Sequence, residues 1–276
     1  MEIRFQSSPK EVKGMNTAEL RSNFLVSGIM CEDELSLTYS HYDRLIIGGI
    51  KPVAQKILLQ NKTELRSEYF LERREMGIIN VGGPGQVLAD AVVFELDKLD
   101  ALYLGKGTQS VTFSSQSEEN PACFYLVSAS AHQAYPSVKM SKEQALPAKF
   151  GSADTSNLRT IYKYIHADGL QSCQLVMGLT LLEPGSVWNT IPPHTHTRRS
   201  EVYFYFDVQE EGRAFHFMGE PNETRHLVIA NHEAIISPPW SVHFGCGTSN
   251  YGFIWAMAGE NKAFTDMDQA AVSELK

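Results

Sequence analysis

The stretch IPPHTHTRRSEVYFYF, residues 191–206, decides how the chain folds. Its second half alternates. Glu201, Tyr203 and Tyr205 fall on one face of an extended strand, and Val202, Phe204 and Phe206 on the other. Its first half sets His194 and His196 two residues apart, so in a strand both imidazoles project from the same face and can converge on one ion. Glu201 follows His196 by five residues. That odd offset would put the carboxylate on the opposite face of a continuous strand, so Thr197–Ser200 must bend or bulge to bring it back.

Downstream, SPPWSVH (237–243) places His243 just past a Pro-Pro turn, at the start of another strand. Three imidazoles and a carboxylate suit a borderline divalent ion such as zinc, iron, manganese or cobalt. The alternative, that His194 and His196 decorate an exposed strand, leaves the later histidine at a fitting distance unexplained. His216 and His226 lie in strand-like runs and read as core or hydrogen-bonded residues. Cys246 reads as a small buried thiol.

Outward from this centre, short runs rich in Val, Ile, Phe and Tyr recur between Gly, Pro, Asn and Asp. RLIIGGI (44–50), CFYLVSA (123–129), QLVMGLTLL (174–182) and GFIWAMAG (252–259) are examples. Such spacing predicts an all-β chain of antiparallel sandwiches or barrels. Helices are expected to be few: TAELRSNFLV near residue 20, SKEQAL near 143 and the C-terminal MDQAAVSELK. The segment 135–160 is polar and rich in Ser, Lys and Pro, and is the linker candidate. It separates an N-terminal unit, 1–145, from a C-terminal one, 146–276. The halves align weakly, 44–52 with 174–184, 71–75 with 195–201 and 100–110 with 233–243, which reads as one barrel plan used twice. On this alignment Tyr69, Leu71 and Ser110 stand where His194, His196 and His243 stand. The N-terminal barrel is therefore expected to lack metal ligands and to serve packing and assembly.

Composition narrows the partners. Lys plus Arg number 24 against 32 Asp plus Glu, a formal charge of −8. Nucleic acid and anionic membranes both require a surplus of positive charge, so neither is expected as a partner. No apolar run approaches the ~20 residues that span a bilayer, and MEIRFQSSPKEVKG has no apolar core of a signal peptide. The four cysteines form no CxxC pair and read as reduced thiols of a cytoplasmic protein.

HTHTRRSE resembles the first cupin motif and SPPWSVH the second, with Trp240 in the place of the motif's glycine. That resemblance implies a jelly-roll barrel with His194, His196, Glu201 and His243 as metal ligands. Longer strings, YSHYDRLIIGGIKP (39–52), YFLERREMGIINVGG (69–83), DALYLGKG (100–107), the stretch 188–206, ETRHLVIANHEAIISPPWSVHFGCGT (223–248) and FIWAMAGEN (253–261), resemble the 5-keto-4-deoxyuronate isomerase family over nearly the whole chain. The resemblance implies a double cupin, two jelly-roll β-barrels with few short helices, holding one Zn2+ per chain. It implies a cytoplasmic homohexamer acting as an aldose–ketose isomerase in pectin and polyuronate breakdown. The implied reaction interconverts 5-dehydro-4-deoxy-D-glucuronate and 3-deoxy-D-glycero-2,5-hexodiulosonate. An iron-dependent cupin oxygenase and a non-enzymatic sugar-binding cupin stay open as alternatives. A ketouronate is an anion, so an acidic protein must offer it a local cation, and arginine matches a carboxylate best. Arg159, Lys163, Arg198, Arg199 and Arg225 are the candidates for that contact. Glu223 and Tyr203, the latter on Glu201's face, are the candidates for proton transfer.

Overall fold

In the computed structural model, which describes residues 1–276, the strand Arg199–Phe206 is buried along its entire length. Both of its faces are covered, and even Arg199, Ser200 and Glu201 are buried. Tyr203 looks into a barrel interior towards Phe253 and His243. On the other face Phe204 stacks on Tyr125 of the first half, with centroids 4.2 Å apart and planes 12° from parallel.

The two halves use the same strand order. The large sheet of the first runs Glu2–Arg4, Leu35–Ser40, Ile46–Ile50, Phe124–Ser130, Arg74–Asn80, Ala101–Leu104, Val138–Met140. That of the second runs Ala148–Phe150, Arg159–Ile165, Val176–Leu182, Gly252–Gly259, Arg199–Phe206, Ala234–Ser237, Leu25–Val26. Each is faced by a four-stranded sheet, and the second half's runs Trp188–Asn189, Phe244–Gly247, Ala214–Glu220, Glu223–Ile229. The three stretches aligned from sequence fall on strands that hold the same place in the two large sheets. The last place in the second sheet goes to Leu25–Val26, so the N-terminal arm crosses over to complete the C-terminal sheet. The chain is all-β with few short helices, as expected.

Three local readings need correction. The polar segment 135–160 is not a free linker: Val138–Met140 joins the first large sheet and Ala148–Phe150 the second. SKEQAL forms turns rather than a helix. The C-terminal segment pairs Asp268–Gln269 with His194–Thr195 and keeps only a 3-10 turn at Val272–Glu274. Tertiary pairing with the His194–Thr195 strand overrides local helix propensity there. The helix Thr17–Phe24 does form, opened by a capping box between Asn16 and Glu19.

The large sheets pack back to back, and one apolar cluster draws on both halves, including Ile79, Tyr125 and Val127 with Met177 and Phe204. A buried carboxylate fastens this seam. Glu75, 0% exposed, accepts from the backbone N–H groups of Cys173, Gln174 and Leu175 at 2.6, 2.7 and 2.7 Å and from the Tyr103 hydroxyl at 2.7 Å. A second first-half carboxylate does the same: Asp43 accepts from the Ser200 N–H at 2.6 Å. Glu75→Ala would leave several buried donors without an acceptor. The expected loss is about 3 kcal/mol or more, a fall of roughly 5–10 °C in thermal midpoint. An unchanged midpoint by calorimetry would contradict the clamp.

Candidate metal centre and its cavity

Three pieces of chain bring the histidines and Glu201 together. His194–Thr195 is a two-residue strand. The expected bend follows, closed by the Arg199 N–H donating to the His196 carbonyl at 3.1 Å. It returns the chain to the large sheet with Glu201 pointing inward. His243 arrives after the Pro-Pro turn, which the Ser241 N–H closes on the Pro238 carbonyl at 3.0 Å.

The four donor atoms then face one another. His194 Nε2 lies 3.2 Å from His196 Nε2 and 3.0 Å from His243 Nε2. Glu201 Oε2 lies 3.1 Å from His196 Nε2 and 3.0 Å from His243 Nε2. All four residues are buried. The opposite ring nitrogens show which nitrogens carry protons. His196 Nδ1 sits 2.5 Å from the Asp266 carbonyl, which can only accept, so Nδ1 carries a proton and Nε2 is turned to the other donor atoms. His194 is likewise bonded to the Pro192 carbonyl, and His243 Nδ1 approaches the Ser237 hydroxyl at 3.4 Å. Burial, reinforced by His243, drives the His194 pKa down to about 3, so that ring is neutral. Burial works to raise the Glu201 pKa, but the His243 and His196 rings outweigh it and hold the carboxyl well below the usual range. Glu201 Oε2 has no hydrogen-bond donor. Three imidazole nitrogens and a carboxylate oxygen are thus aimed at one point. That donor set fits a divalent cation, and the group could hold one.

The centre opens on a cavity of about 220 Å³. Its polar lining includes Tyr203, Thr190, Thr180, Gln269 and Arg159, and Phe150, Phe253, Trp255 and Phe264 wall it. Gly178 makes room for one wall: a Cβ there would lie 2.3 Å from the Trp255 ring, which instead packs flat and donates Nε1–H to Thr180 Oγ1 at 3.2 Å. Thr190 is held at φ 51, a left-handed conformation that a β-branched residue rarely adopts. In that conformation its hydroxyl lies 3.2 Å from Tyr203 Oη. Burial, then the Glu201 charge, pushes the Tyr203 pKa well above 10, so the phenol keeps its proton.

The family model described as the KduI/IolB family matches residues 33–275. The chain belongs to this family. A relative from Shouchella clausii, named 4-deoxy-L-threo-5-hexosulose-uronate ketol-isomerase, is 55% identical over 276 residues, the full length of both chains. The solved IolB-like protein from Salmonella typhimurium matches with a TM-score of 0.71 at 14% identity, over 90% of this chain and 97% of that one. An oxalate decarboxylase from Lactobacillus farciminis matches at 0.58 and 9% identity, over 83% and 80%. These structures carry the fold alone, and it is the double cupin. Full-length relatives named ketol-isomerase bear out the family resemblance, and the chain is an isomerase.

Within this KduI/IolB chain the candidate residues separate cleanly. His194, His196, Glu201, Tyr203 and Arg159 meet at the cavity, and His243 stands directly behind it. The other candidates do not line it. Lys163 lies over the Phe264 ring, 5.0 Å from its centroid. Arg198 is taken by Asp266 and Asp268. Arg199 is buried and bonded to the Ala263 and Asp266 carbonyls. Arg225 pairs with Glu223, and Glu223 also with Lys13, on a peripheral hairpin. His216 is buried beside Tyr205, as expected of a core histidine, with Nδ1 2.8 Å from the hydroxyl. Thr190, Asp266 and Gln269 were not anticipated, because nothing local marks them. The purified protein is expected to carry about one divalent ion per chain by elemental analysis. His196→Ala and His243→Ala should each lose affinity by more than the roughly tenfold to hundredfold that losing a partner behind a ligand costs. Unchanged metal content in both variants would remove the site.

Proposed function

We propose that this chain is a zinc-dependent ketol-isomerase of a deoxy-ketouronate, with His194, His196, Glu201 and His243 as the ligands. The reaction is the interconversion of 5-dehydro-4-deoxy-D-glucuronate and 3-deoxy-D-glycero-2,5-hexodiulosonate in polyuronate breakdown. The observation that carries this reading is the pairing, in one cavity, of the His/His/Glu/His set with a single cationic side chain, Arg159. The name of the full-length relative from Shouchella clausii supports it.

The chemistry moves a hydrogen from the hydroxyl-bearing carbon to the neighbouring aldehyde carbon, and the hydroxyl proton to the other oxygen. Zinc, when bound, supplies Lewis-acid polarisation of the carbonyl and hydroxyl oxygens. The side chains do the rest. Arg159 has one side-chain hydrogen bond, to the Asn157 carbonyl at 3.0 Å, which leaves the fork free for a substrate carboxylate. Tyr203, kept neutral, holds a proton at Oη and can pass it between the two substrate oxygens. The aromatic walls keep bulk water from the reacting carbons. We further propose that 1–145 and 146–276 are the two cupin units and that only the second binds metal. The protein is proposed to be a cytoplasmic homohexamer; sedimentation as a monomer at micromolar concentration would contradict the assembly.

Arg159→Met should raise KM for the ketouronate by about tenfold to a hundredfold with kcat nearly unchanged, because the carboxylate is remote from the reacting carbons. Tyr203→Phe should instead lower kcat by about a hundredfold or more. An unchanged KM in the first variant, or equal turnover of an uncharged analogue by the parent, would overturn the uronate assignment.

A further inference from the structure

The bend between His196 and Glu201 carries two arginines, and both grip one segment, residues 260–270. Arg198 Nε donates to Asp266 Oδ1 at 2.7 Å, and its Nη2 to both Asp268 carboxylate oxygens at 3.0 Å. Arg199 donates Nη1 to the Ala263 carbonyl at 2.6 Å and Nη2 to the Asp266 carbonyl at 3.2 Å. The same Asp266 carbonyl accepts His196 Nδ1–H. Farther along, Gln269 pairs with His194 and the Ala270 N–H donates to the Pro193 carbonyl at 3.0 Å. Phe264, Met267 and Gln269 from this segment close one wall of the cavity.

The segment has little apolar anchorage. Ala270 is its only buried residue between 261 and 270. Phe264 packs against Trp255, with ring centroids 5.5 Å apart, and polar contacts supply most of the remaining order, the condition under which a segment opens locally without global unfolding. The Arg199 bonds are buried, 1% of that residue being exposed. The Arg198 pairs are the outer ones, with 36% of the arginine side chain and 45% of Asp268 exposed.

We propose that residues 260–270 are a strap latched by Arg198, and that Arg198 and Asp266 are positioning residues of the metal centre. The ion pairs hold the strap down, its Asp266 carbonyl fixes the His196 lone pair on the ion's position, and its side chains shut the cavity. The link to the ion rests on the proposed zinc site; the latch itself does not.

The test compares parent, Arg198→Met, Asp268→Asn and Arg198→Lys. Amide hydrogen exchange of 260–270 is measured in zinc-free protein, zinc release to an excess of chelator in loaded protein, and thermal midpoint in both. Arg198→Met is expected to exchange faster in the strap, to release zinc about tenfold faster, and to melt within a few degrees of the parent. Asp268→Asn should show the same changes in smaller measure. Arg198→Lys should recover part of both, since it restores the charge and not the fork. Unchanged strap exchange in the zinc-free variants overturns the latch. Faster strap exchange with unchanged zinc release overturns the positioning role, as does a lower melting point with release unchanged. A parent that takes up no zinc overturns the metal site and the positioning role together, while the exchange measurement still decides the latch.

Discussion

Three imidazole nitrogens and a carboxylate oxygen are turned face to face here, 3.0–3.2 Å apart in a place nearly closed to water. A cation among them makes the arrangement favourable, and without one the fold must hold it in place. Much of the second barrel serves that end. Carbonyls and a hydroxyl behind the rings fix their direction, the bend at 197–200 returns Glu201 to the ligand face, and the strap supplies the carbonyl that His196 needs.

The two barrels differ in what fills them. The interior of the second is laid out with His194, His196, Glu201, His216 and Tyr205 where a sandwich would ordinarily pack aliphatic side chains. The first keeps an apolar interior, with Leu71 buried among Met76, Ile78 and Leu104. Its large sheet backs the strand Arg199–Phe206 through Tyr125 and Phe204. Glu75 and Asp43, both from the first half, tie the seam by accepting from backbone N–H groups of the second. A strand covered on both faces cannot shift register without moving aromatic rings out of both cores, and that rigidity holds Glu201 at the three histidines.

The sequence was most legible where the pattern is local. Two-residue alternation and an odd histidine-to-glutamate offset were enough to anticipate a bend and a shared face, and a Pro-Pro turn placed His243. The cations were harder to place. Arg159 and Lys163 share a strand and a side-chain parity, yet only Arg159 reaches the cavity, while Lys163 lies over the Phe264 ring. Arg198 and Arg199 lie beside the ligands in sequence, but their carboxylate and carbonyl partners come from some 65 residues away. Nothing in a one-dimensional pattern joins them to Asp266. The C-terminal segment has helix-forming residues and becomes a strap because it pairs with the histidine loop.

The central claim, that one cation among these four side chains makes a ketol-isomerase of the second barrel, is tested most directly by titrating zinc into metal-stripped protein while following ketouronate turnover by product-specific spectroscopy. Turnover should be near zero at the start, rise in proportion to bound zinc, and stop rising at one ion per chain. Full turnover in the stripped protein, or a break at any other ratio, would contradict the account.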